Sequence, residues 1–166
     1  MSSGPTKNVK IDGNNVEIVV ECHYDTNAKD VWLVASNFSS LKTLFTNIIK
    51  CDLVYPKESN GNYPLVGSER HLTFHGVDGV TIEVLKELDN DSYRFTYIQK
   101  QGLPVTDYVA RVGVATGTTG CTLIWEITYV DTNDGKLDFA RKVGGFFVEA
   151  MQQIATVLGV TLPVNP

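Results

Sequence analysis

Alternating apolar and polar positions run through most of this chain, and this pattern predicts a protein built mainly from β-strands. The first run, residues 16–24, is rich in β-branched side chains, as is typical of strands. We predict six further strands at residues 48–55, 67–74, 79–88, 93–99, 105–115 and 121–130. The breaks between them are rich in Asn, Asp, Gly, Pro and Thr, which are the residues that turns favour.

Helical spacing replaces this alternation in three segments. Asn27 supplies an N-cap for a first short helix, directly after the first strand. A second short helix is predicted around residues 41–45, with Ser39 or Ser40 as its cap. Between residues 140 and 158, apolar residues recur at the helical spacing over about six turns. This long helix must bury its apolar stripe, and the sheet is the partner that the chain provides.

Together these patterns predict an α+β fold, in which a curved seven-stranded antiparallel sheet wraps around a long C-terminal helix. The two short helices follow the first strand. We expect residues 1–15 to form a flexible leader and residues 16–162 to form a single domain. Gly144 and Gly145 lie inside the long helix, where each costs about 1 kcal/mol relative to Ala. We attribute them to close packing of helix on sheet; room for a ligand, or a bend, is the alternative.

The composition narrows the class of protein. A net charge of −5, from 14 basic and 19 acidic residues, argues against binding to nucleic acid or to an anionic membrane. Cys22, Cys51 and Cys121 are widely spaced and odd in number, which favours thiols in a reducing, cytoplasmic compartment. We see no apolar signal-peptide region, no run long enough for a membrane helix and no metal-ligand spacing.

One predicted hairpin carries an unusual pair of charges. Its four-residue loop, residues 75–78, places Arg70 opposite Glu83. Because side chains alternate between the two faces of a strand, this pair shares its face with Leu72 and Phe74. The pair is either a simple cross-strand ion pair, which contributes about 0.2–1 kcal/mol, or part of the polar lining of an internal cavity.

The order of elements and five short motifs resemble the SRPBCC superfamily, also called the START, birch-pollen-allergen or helix-grip fold. The motifs are Ala28-Lys29-Asp30-Val31-Trp32, Val66-Gly67-Ser68-Glu69-Arg70, Thr81-Ile82-Glu83-Val84-Leu85, Leu103-Pro104-Val105-Thr106-Asp107-Tyr108 and Trp125-Glu126. This superfamily includes polyketide cyclases and dehydrases as well as lipid-transport proteins. The resemblance extends over about residues 16–159 and implies a helix-grip fold with an internal hydrophobic pocket.

Within the superfamily, the expected pocket resembles that of the plant abscisic-acid receptors. The polar residues that fall on receptor pocket positions are Lys50, Arg70, Glu83, Tyr108 and Glu126. Phe147 and Met151 fall on the helix positions that cover the ligand. The receptor gate and latch motifs are replaced here by residues 75–78 and 103–105, so the resemblance implies the pocket but not hormone-triggered phosphatase binding.

We expect the five polar residues to form a catalytic set. Arg70 is predicted to hold an oxyanion, because its planar fork suits carboxylates. Glu83 or Glu126 is the expected general base, and Tyr108 or Lys50 the general acid. A related fern hydroxynitrile lyase performs acid–base chemistry in the same pocket, and its strand arginine resembles Arg70. The apolar pattern alone turns Glu126 outward, whereas the resemblance turns it inward, and we follow the resemblance.

The remaining wall of the pocket is expected to be largely apolar. The predicted ligand contacts are Leu72, Phe74, His75, Phe95, Tyr97, Leu103, Val105, Ala110, Phe147 and Met151. Strand alternation places Phe95, Tyr97 and Ala110 inward. His75 is either an exposed loop histidine or an acid or base at the edge of the pocket.

The sequence therefore predicts a cofactor-free enzyme that uses acid–base chemistry on a small carbonyl, phenolic or polyketide-like compound. Cyclisation, dehydration, condensation and a lyase step are the expected reaction types. The alternative is a non-catalytic carrier, storage protein or sensor for a small hydrophobic acid or lipid-like ligand. A chaperone-like or adaptor protein of the same fold is a third possibility. We expect no metal, no nucleic-acid or membrane partner, and a monomer or homodimer.

Overall fold

One large antiparallel sheet and a long helix dominate the computed structural model of the chain, which describes residues 4–39, 41–56 and 66–163. The strands are β1 (Thr6–Asp12), β2 (Asn15–Tyr24), β3 (Ile48–Val54), β4 (Glu69–Phe74), β5 (Thr81–Asp89), β6 (Arg94–Gln101), β7 (Thr106–Thr116) and β8 (Cys121–Val130). The helices are α1 (Ala28–Ala35), α2 (Leu41–Leu44) and α3 (Lys136–Leu158). The sheet order is β1-β2-β8-β7-β6-β5-β4-β3, and α3 packs mainly against β1, β2 and the two short helices. The predicted α+β helix-grip fold is confirmed.

The predicted count of seven strands is wrong, because the described residues form eight. The additional strand, β1, lies in the segment that we expected to be a flexible leader. It pairs with β2 from Thr6 opposite Glu21 to Asp12 opposite Asn15. As an edge strand it has only two partly buried apolar residues against the core, Val9 and Ile11, too few for the alternation to stand out.

Caps begin and end the helices where the sequence predicts them. The side chain of Asn27 accepts a hydrogen bond from the backbone of Asp30 at 2.9 Å, which satisfies one of the unpaired donors at the start of α1. Gly159 ends α3 with a positive φ of 67°, a conformation that glycine adopts without strain. The predicted cap at Ser40 lies outside the described residues.

An aromatic core lies between the inner face of the sheet and α3. Alternation along β8 buries Trp125 completely, and its ring lies 4.9 Å from that of Phe147 on α3 and 5.9 Å from that of Phe45. On the other side, the ring centre of Phe95 lies 6.3 Å from that of Trp125 and 5.8 Å from that of Trp32 in α1. This cluster fixes the distance between helix and sheet, and the space beyond it remains unfilled.

The two glycines inside α3 have different surroundings. A Cβ added to Gly144 would lie 2.5 Å from Cδ of Lys7 and 3.2 Å from Cγ2 of Ile18. A Cβ added to Gly145 would contact nothing within 4 Å. Close helix–sheet packing is therefore confirmed as the reason for Gly144, and it does not apply to Gly145.

We expect Gly145→Ala to raise the free energy of unfolding by about 0.5–1 kcal/mol, because alanine favours the helix and meets no obstacle. Gly144→Ala gains the same helix propensity but must displace Lys7 and press on Ile18, so it should be less stable than Gly145→Ala. Urea denaturation of the two variants gives the comparison. Equal stabilisation by both would contradict the packing role of Gly144.

Candidate functional site

A cavity of about 280 Å³ lies between the inner face of the sheet, α2 and the first half of α3. Its lining residues are Leu41, Phe45, Asn47, Ile48, Leu72, Phe74, His75, Val77, Thr81, Glu83, Tyr97, Leu103, Tyr108, Phe139, Lys142, Val143, Phe146 and Phe147. Most of these side chains are apolar, and a few polar groups lie among them. This combination is typical of sites that bind small molecules.

A second groove, of about 380 Å³, lies between the β1–β2 hairpin and the start of β7. Its walls include the exposed side chains of Lys10, Glu17 and Asp107. It is more open to solvent than the cavity, and it offers little apolar enclosure for a ligand. We therefore place the candidate site in the cavity beneath α3.

The pairing of β4 with β5 brings Arg70 opposite Glu83, as the length of the hairpin loop predicts. Arg70 Nε donates a hydrogen bond to Glu83 Oε2 at 2.5 Å. The two side chains are only 1% and 8% exposed. The predicted ion pair is confirmed. Glu83 also lines the cavity, so the pair is both a cross-strand ion pair and a part of the cavity wall.

Two aromatic rings hold the guanidinium of Arg70. Its Cζ lies 4.2 Å from the ring centre of Phe38 and 4.5 Å from that of Tyr97, both within cation–π range. Arg70 itself is not among the lining residues of the cavity. The predicted direct contact of Arg70 with a ligand oxyanion is therefore corrected: Arg70 lies behind Glu83, and Glu83 is the partner that reaches the cavity. Phe38, in the loop between α1 and α2, is a neighbour of Arg70 that the sequence analysis missed.

Burial and the ion pair act in opposite directions on Glu83. Burial raises the pKa of the Glu83 carboxyl above its ordinary value, and the positive charge of Arg70 limits the rise. For Arg70, burial opposes the charged form, but Glu83 and Tyr97 outweigh it and raise the pKa of the guanidinium. Arg70 thus stays cationic, while Glu83 is a stronger base than an exposed glutamate.

Two buried phenols continue the polar wall beside Glu83. Trp125 Nε1 donates a hydrogen bond to Tyr97 Oη at 3.1 Å, and the hydroxyls of Tyr97 and Tyr108 are hydrogen-bonded to each other. Burial raises the pKa of both phenols well above the ordinary value. The nearby charge of Glu83 raises it further. Both therefore remain protonated; because one hydroxyl donates to the other, only the accepting phenol has its proton free for an oxygen of a ligand.

Lys50 does not face the cavity, so its predicted place in the catalytic set is wrong. Its side chain is 66% exposed, and Nζ lies 2.7 Å from Asp52 Oδ2. The reason is a register irregularity between Ile48 and Lys50, after which Lys50 pairs with Thr73 on the outer face. A bulge of this kind reverses the face that each following residue occupies.

Glu126 also lies on the outer face, and its predicted inward position is wrong. Its side chain is 43% exposed and lies 3.4 Å from Arg111 Nη1. Along β8, Leu123, Trp125 and Ile127 are completely buried, which leaves the alternate positions to the outer face. The apolar pattern of this strand, rather than the family resemblance, indicates the correct side.

The structure separates the predicted ligand contacts into two groups. The residues that line the cavity are Leu72, Phe74, His75, Tyr97, Leu103 and Phe147, together with Glu83 and Tyr108. Phe95, Val105, Ala110 and Met151 are buried core residues outside the lining, so their assignment is corrected. Met151 lies one turn beyond Phe147, where its backbone oxygen accepts a hydrogen bond from the hydroxyl of Tyr24 at 2.8 Å.

Several lining residues were missed because they do not belong to the main apolar stripe of α3. Phe139 and Phe146 are two turns apart and lie beside the stripe, only partly buried. Lys142 lies between them on the same side of the helix. A second, narrower apolar row next to a buried stripe is the signal that could have identified this side of the cavity.

The loop of residues 102–105 is fixed against the cavity by one side chain. Gln99 Oε1 accepts a hydrogen bond from the backbone nitrogen of Leu103 at 2.7 Å, and Gln99 Nε2 donates to the oxygens of Leu103 and Val105 at 3.4 and 3.3 Å. Gly102 has a φ of 122°, and a Cβ there would lie 2.5 Å from Cα of Thr81. The position of Leu103 in the wall is therefore set by its neighbours.

Two features are absent from the described residues. They contain no group of three or more His, Cys, Asp and Glu side chains that could hold a metal ion. No helix in residues 4–39, 41–56 or 66–163 has the length and apolar character needed to cross a membrane.

Comparisons with known proteins agree with this geometry. Residues 15–159 match the family model described as "Polyketide cyclase / dehydrase and lipid transport". No curated protein matches the sequence.

Solved structures with a similar fold come from bacteria and a plant. XoxI from Bacillus cereus has a TM-score of 0.67 and 19% identity, over 85% of this chain and 94% of the other. A Nitrosospira multiformis protein has a TM-score of 0.68 and 16% identity, over 84% and 94% of the two chains. Norcoclaurine synthase from Thalictrum flavum, in complex with dopamine and hydroxybenzaldehyde, has a TM-score of 0.66 and 20% identity, over 92% and 96%. At these identities the likeness shows the fold.

Proposed function

Because this chain belongs to the polyketide cyclase/dehydrase and lipid-transport family, we propose that it binds a small carbonyl or phenolic compound beneath α3 and catalyses a proton-transfer reaction on it. The observation that carries the proposal is the position of Glu83, a carboxylate in the wall of an apolar cavity. Burial raises the pKa of this carboxyl, which brings a general base closer to a neutral working pH. The structurally similar norcoclaurine synthase holds two small aromatic compounds, which supports a ligand of this size and class.

The proposed roles follow from which residues line the cavity and from the hydrogen bond that Glu83 already makes. Glu83 Oε2 accepts a hydrogen bond from Arg70, which leaves Oε1 to accept a proton from the ligand. The proton moves from a hydroxyl or an acidic C–H of the ligand to Glu83, and the resulting carboxylic acid returns it later in the reaction. Whichever of Tyr97 and Tyr108 accepts the hydrogen bond between them keeps its own proton free, and it donates that proton in a hydrogen bond to the oxygen on which negative charge develops. Arg70 keeps the carboxylate in place and does not touch the ligand.

A carrier or sensor for a small hydrophobic acid is the second candidate function. The observation that favours it is the position of Glu126 on the outer face, which leaves Glu83 as the one carboxylate among the described lining residues. A carboxylate already held in an ion pair can serve to keep the cavity folded without taking part in a reaction. Binding of a ligand without conversion is the property that distinguishes this function.

The experiment that separates the two functions combines binding with conversion. The purified protein is incubated with hydroxybenzaldehydes, each alone and together with a phenolic amine such as tyramine, and products are followed by liquid chromatography and mass spectrometry. Native mass spectrometry of the same samples records which compounds bind. The proposal predicts a new product with the wild type that is absent with Glu83→Gln. Compounds that bind and are recovered unchanged would support the carrier function instead.

A further inference from the structure

The charges in the wall of the cavity are unevenly distributed between its inner end and its mouth. Glu83 lies at the inner end beside Tyr97 and Tyr108, where all three are at most 6% exposed. Its charge is compensated by Arg70 directly behind it. His75 and Lys142 lie at the mouth, where both residues are exposed. The inner end is thus electrically balanced, and the mouth carries the remaining charge.

Lys142 has no carboxylate partner among the residues that the structure describes. None of the ion pairs in the described part of the chain includes it, although Asp138 lies one turn earlier on α3 and Asp78 lies in the loop that follows His75. A lysine on a helix surface usually serves solubility, and such a residue can be replaced without effect on a ligand. Lys142 differs because its side chain borders a cavity.

The surroundings of Lys142 are apolar. Phe139, Val143 and Phe146 flank it on α3, and all three line the cavity with it. Lysine lays its aliphatic stem along such a surface and keeps its ammonium group at the edge. An anion bound there lies partly out of water, so the attraction is stronger than between two fully exposed charges.

We propose that the natural ligand is a single-ring compound with a carboxylate or another anionic group, which Lys142 binds at the mouth while the ring occupies the cavity. The volume of about 280 Å³ lies just below the range of about 300–1,000 Å³ for drug-sized ligands, which favours one ring rather than several. A neutral acceptor or a phenol at the other end of the ligand then meets Glu83 and Tyr108. The inference rests on the proposed function only for the place where the ligand binds, because it requires no reaction.

The test compares an anionic ligand with its neutral counterpart. The probes are 3-(4-hydroxyphenyl)propanoate and its amide, which differ in charge and share the same ring, and binding is measured by isothermal titration calorimetry. Wild-type protein should bind the carboxylate about twofold to fivefold more tightly than the amide, the size expected for one partly exposed ion pair. The preference should weaken when the salt concentration rises from about 20 mM to about 500 mM, because salt screens such a pair.

Lys142→Met removes the charge and keeps the apolar stem, so it should abolish the preference and leave the affinity for the amide unchanged. Lys142→Arg should retain the preference. Lys86 is an exposed lysine of β5 away from the cavity. Lys86→Met is therefore the control for the change in net charge and should behave as wild type.

An equal preference in wild type and Lys142→Met would overturn the inference while leaving the proposed function intact. Failure of both probes to bind would overturn the inference, whereas the conversion experiment with Glu83→Gln decides the proposed function separately.

Discussion

Replacing Arg70 with methionine is expected to lower the free energy of unfolding by about 3–5 kcal/mol, the usual cost of removing one partner from a buried ion pair. Methionine can occupy the space between Phe38 and Tyr97, so the loss does not come mainly from a cavity. It comes from Glu83, which keeps its charge in a buried position without a partner. Urea denaturation monitored by circular dichroism measures the change.

The effect of Arg70→Met should depend on pH in a defined direction. Burial raises the pKa of Glu83 in the folded protein, and loss of Arg70 removes the charge that limits this rise. A group with a raised folded pKa is better tolerated when protonated, so stability is lost as the pH rises from the unfolded pKa through the folded pKa. The destabilisation should therefore be greater at about pH 8 than at about pH 5. A loss that is the same at both values would contradict this explanation.

Two further variants test whether the unpaired charge of Glu83 causes the loss of stability. Arg70→Met combined with Glu83→Met replaces the pair by apolar side chains, and it should recover most of the lost stability. Arg111→Met removes an arginine from the exposed pair with Glu126, whose side chains are 53% and 43% exposed, and it should cost about 0–1 kcal/mol. If Arg111→Met cost as much as Arg70→Met, burial of the pair would not explain its strength.

Replacing Glu83 with glutamine is expected to reduce turnover by about 100-fold to 10,000-fold, the contribution of a general base to proton transfer. Glutamine has nearly the same shape and can still bond to Arg70, but it cannot accept a proton. Ligand affinity should change much less than turnover, because the apolar walls formed by Leu72, Phe74 and Phe147 remain. Steady-state kinetics on a compound converted by the wild type gives kcat and KM separately.

The pH dependence of kcat/KM in the wild type follows from the same residue. Glu83 acts as a base only when deprotonated, so activity should fall as the pH falls through its pKa. Because burial raises this pKa above the usual 4.5, the acidic limb should lie above pH 4.5. In Arg70→Met the limb should move to still higher pH, since the charge that lowers this pKa is gone. An acidic limb at the same pH in both proteins would contradict the proposal that Arg70 lowers the pKa of Glu83.

How far the sequence predicted this site depends on how local each feature is. The register of Arg70 opposite Glu83 follows from the length of one loop, and the structure has that register. The position of Lys50 depends on a bulge before it, which no alternation pattern reveals. Phe38 lies in a loop without periodicity, so its contact with Arg70 could not be inferred.

The errors at Glu126 and at β1 have different causes. For Glu126, the strand alternation was informative, and the resemblance to a receptor pocket led to the wrong face. Strand β1 is an edge strand with most of its side chains exposed, so its sequence resembles that of a polar leader. Local alternation thus predicted the sheet interior well, whereas edges, bulges and loops required the three-dimensional structure.

The turnover of Glu83→Gln and Glu126→Gln, measured side by side on the same compound, tests most directly that the buried carboxylate beneath α3 performs the chemistry. The two substitutions are chemically identical, but Glu83 lines the cavity and Glu126 lies on the outer face beside Arg111. We predict that Glu83→Gln loses at least about 100-fold in kcat, while Glu126→Gln stays within about twofold of the wild type. Equal turnover in the two variants would contradict the assignment of Glu83 as the catalytic base.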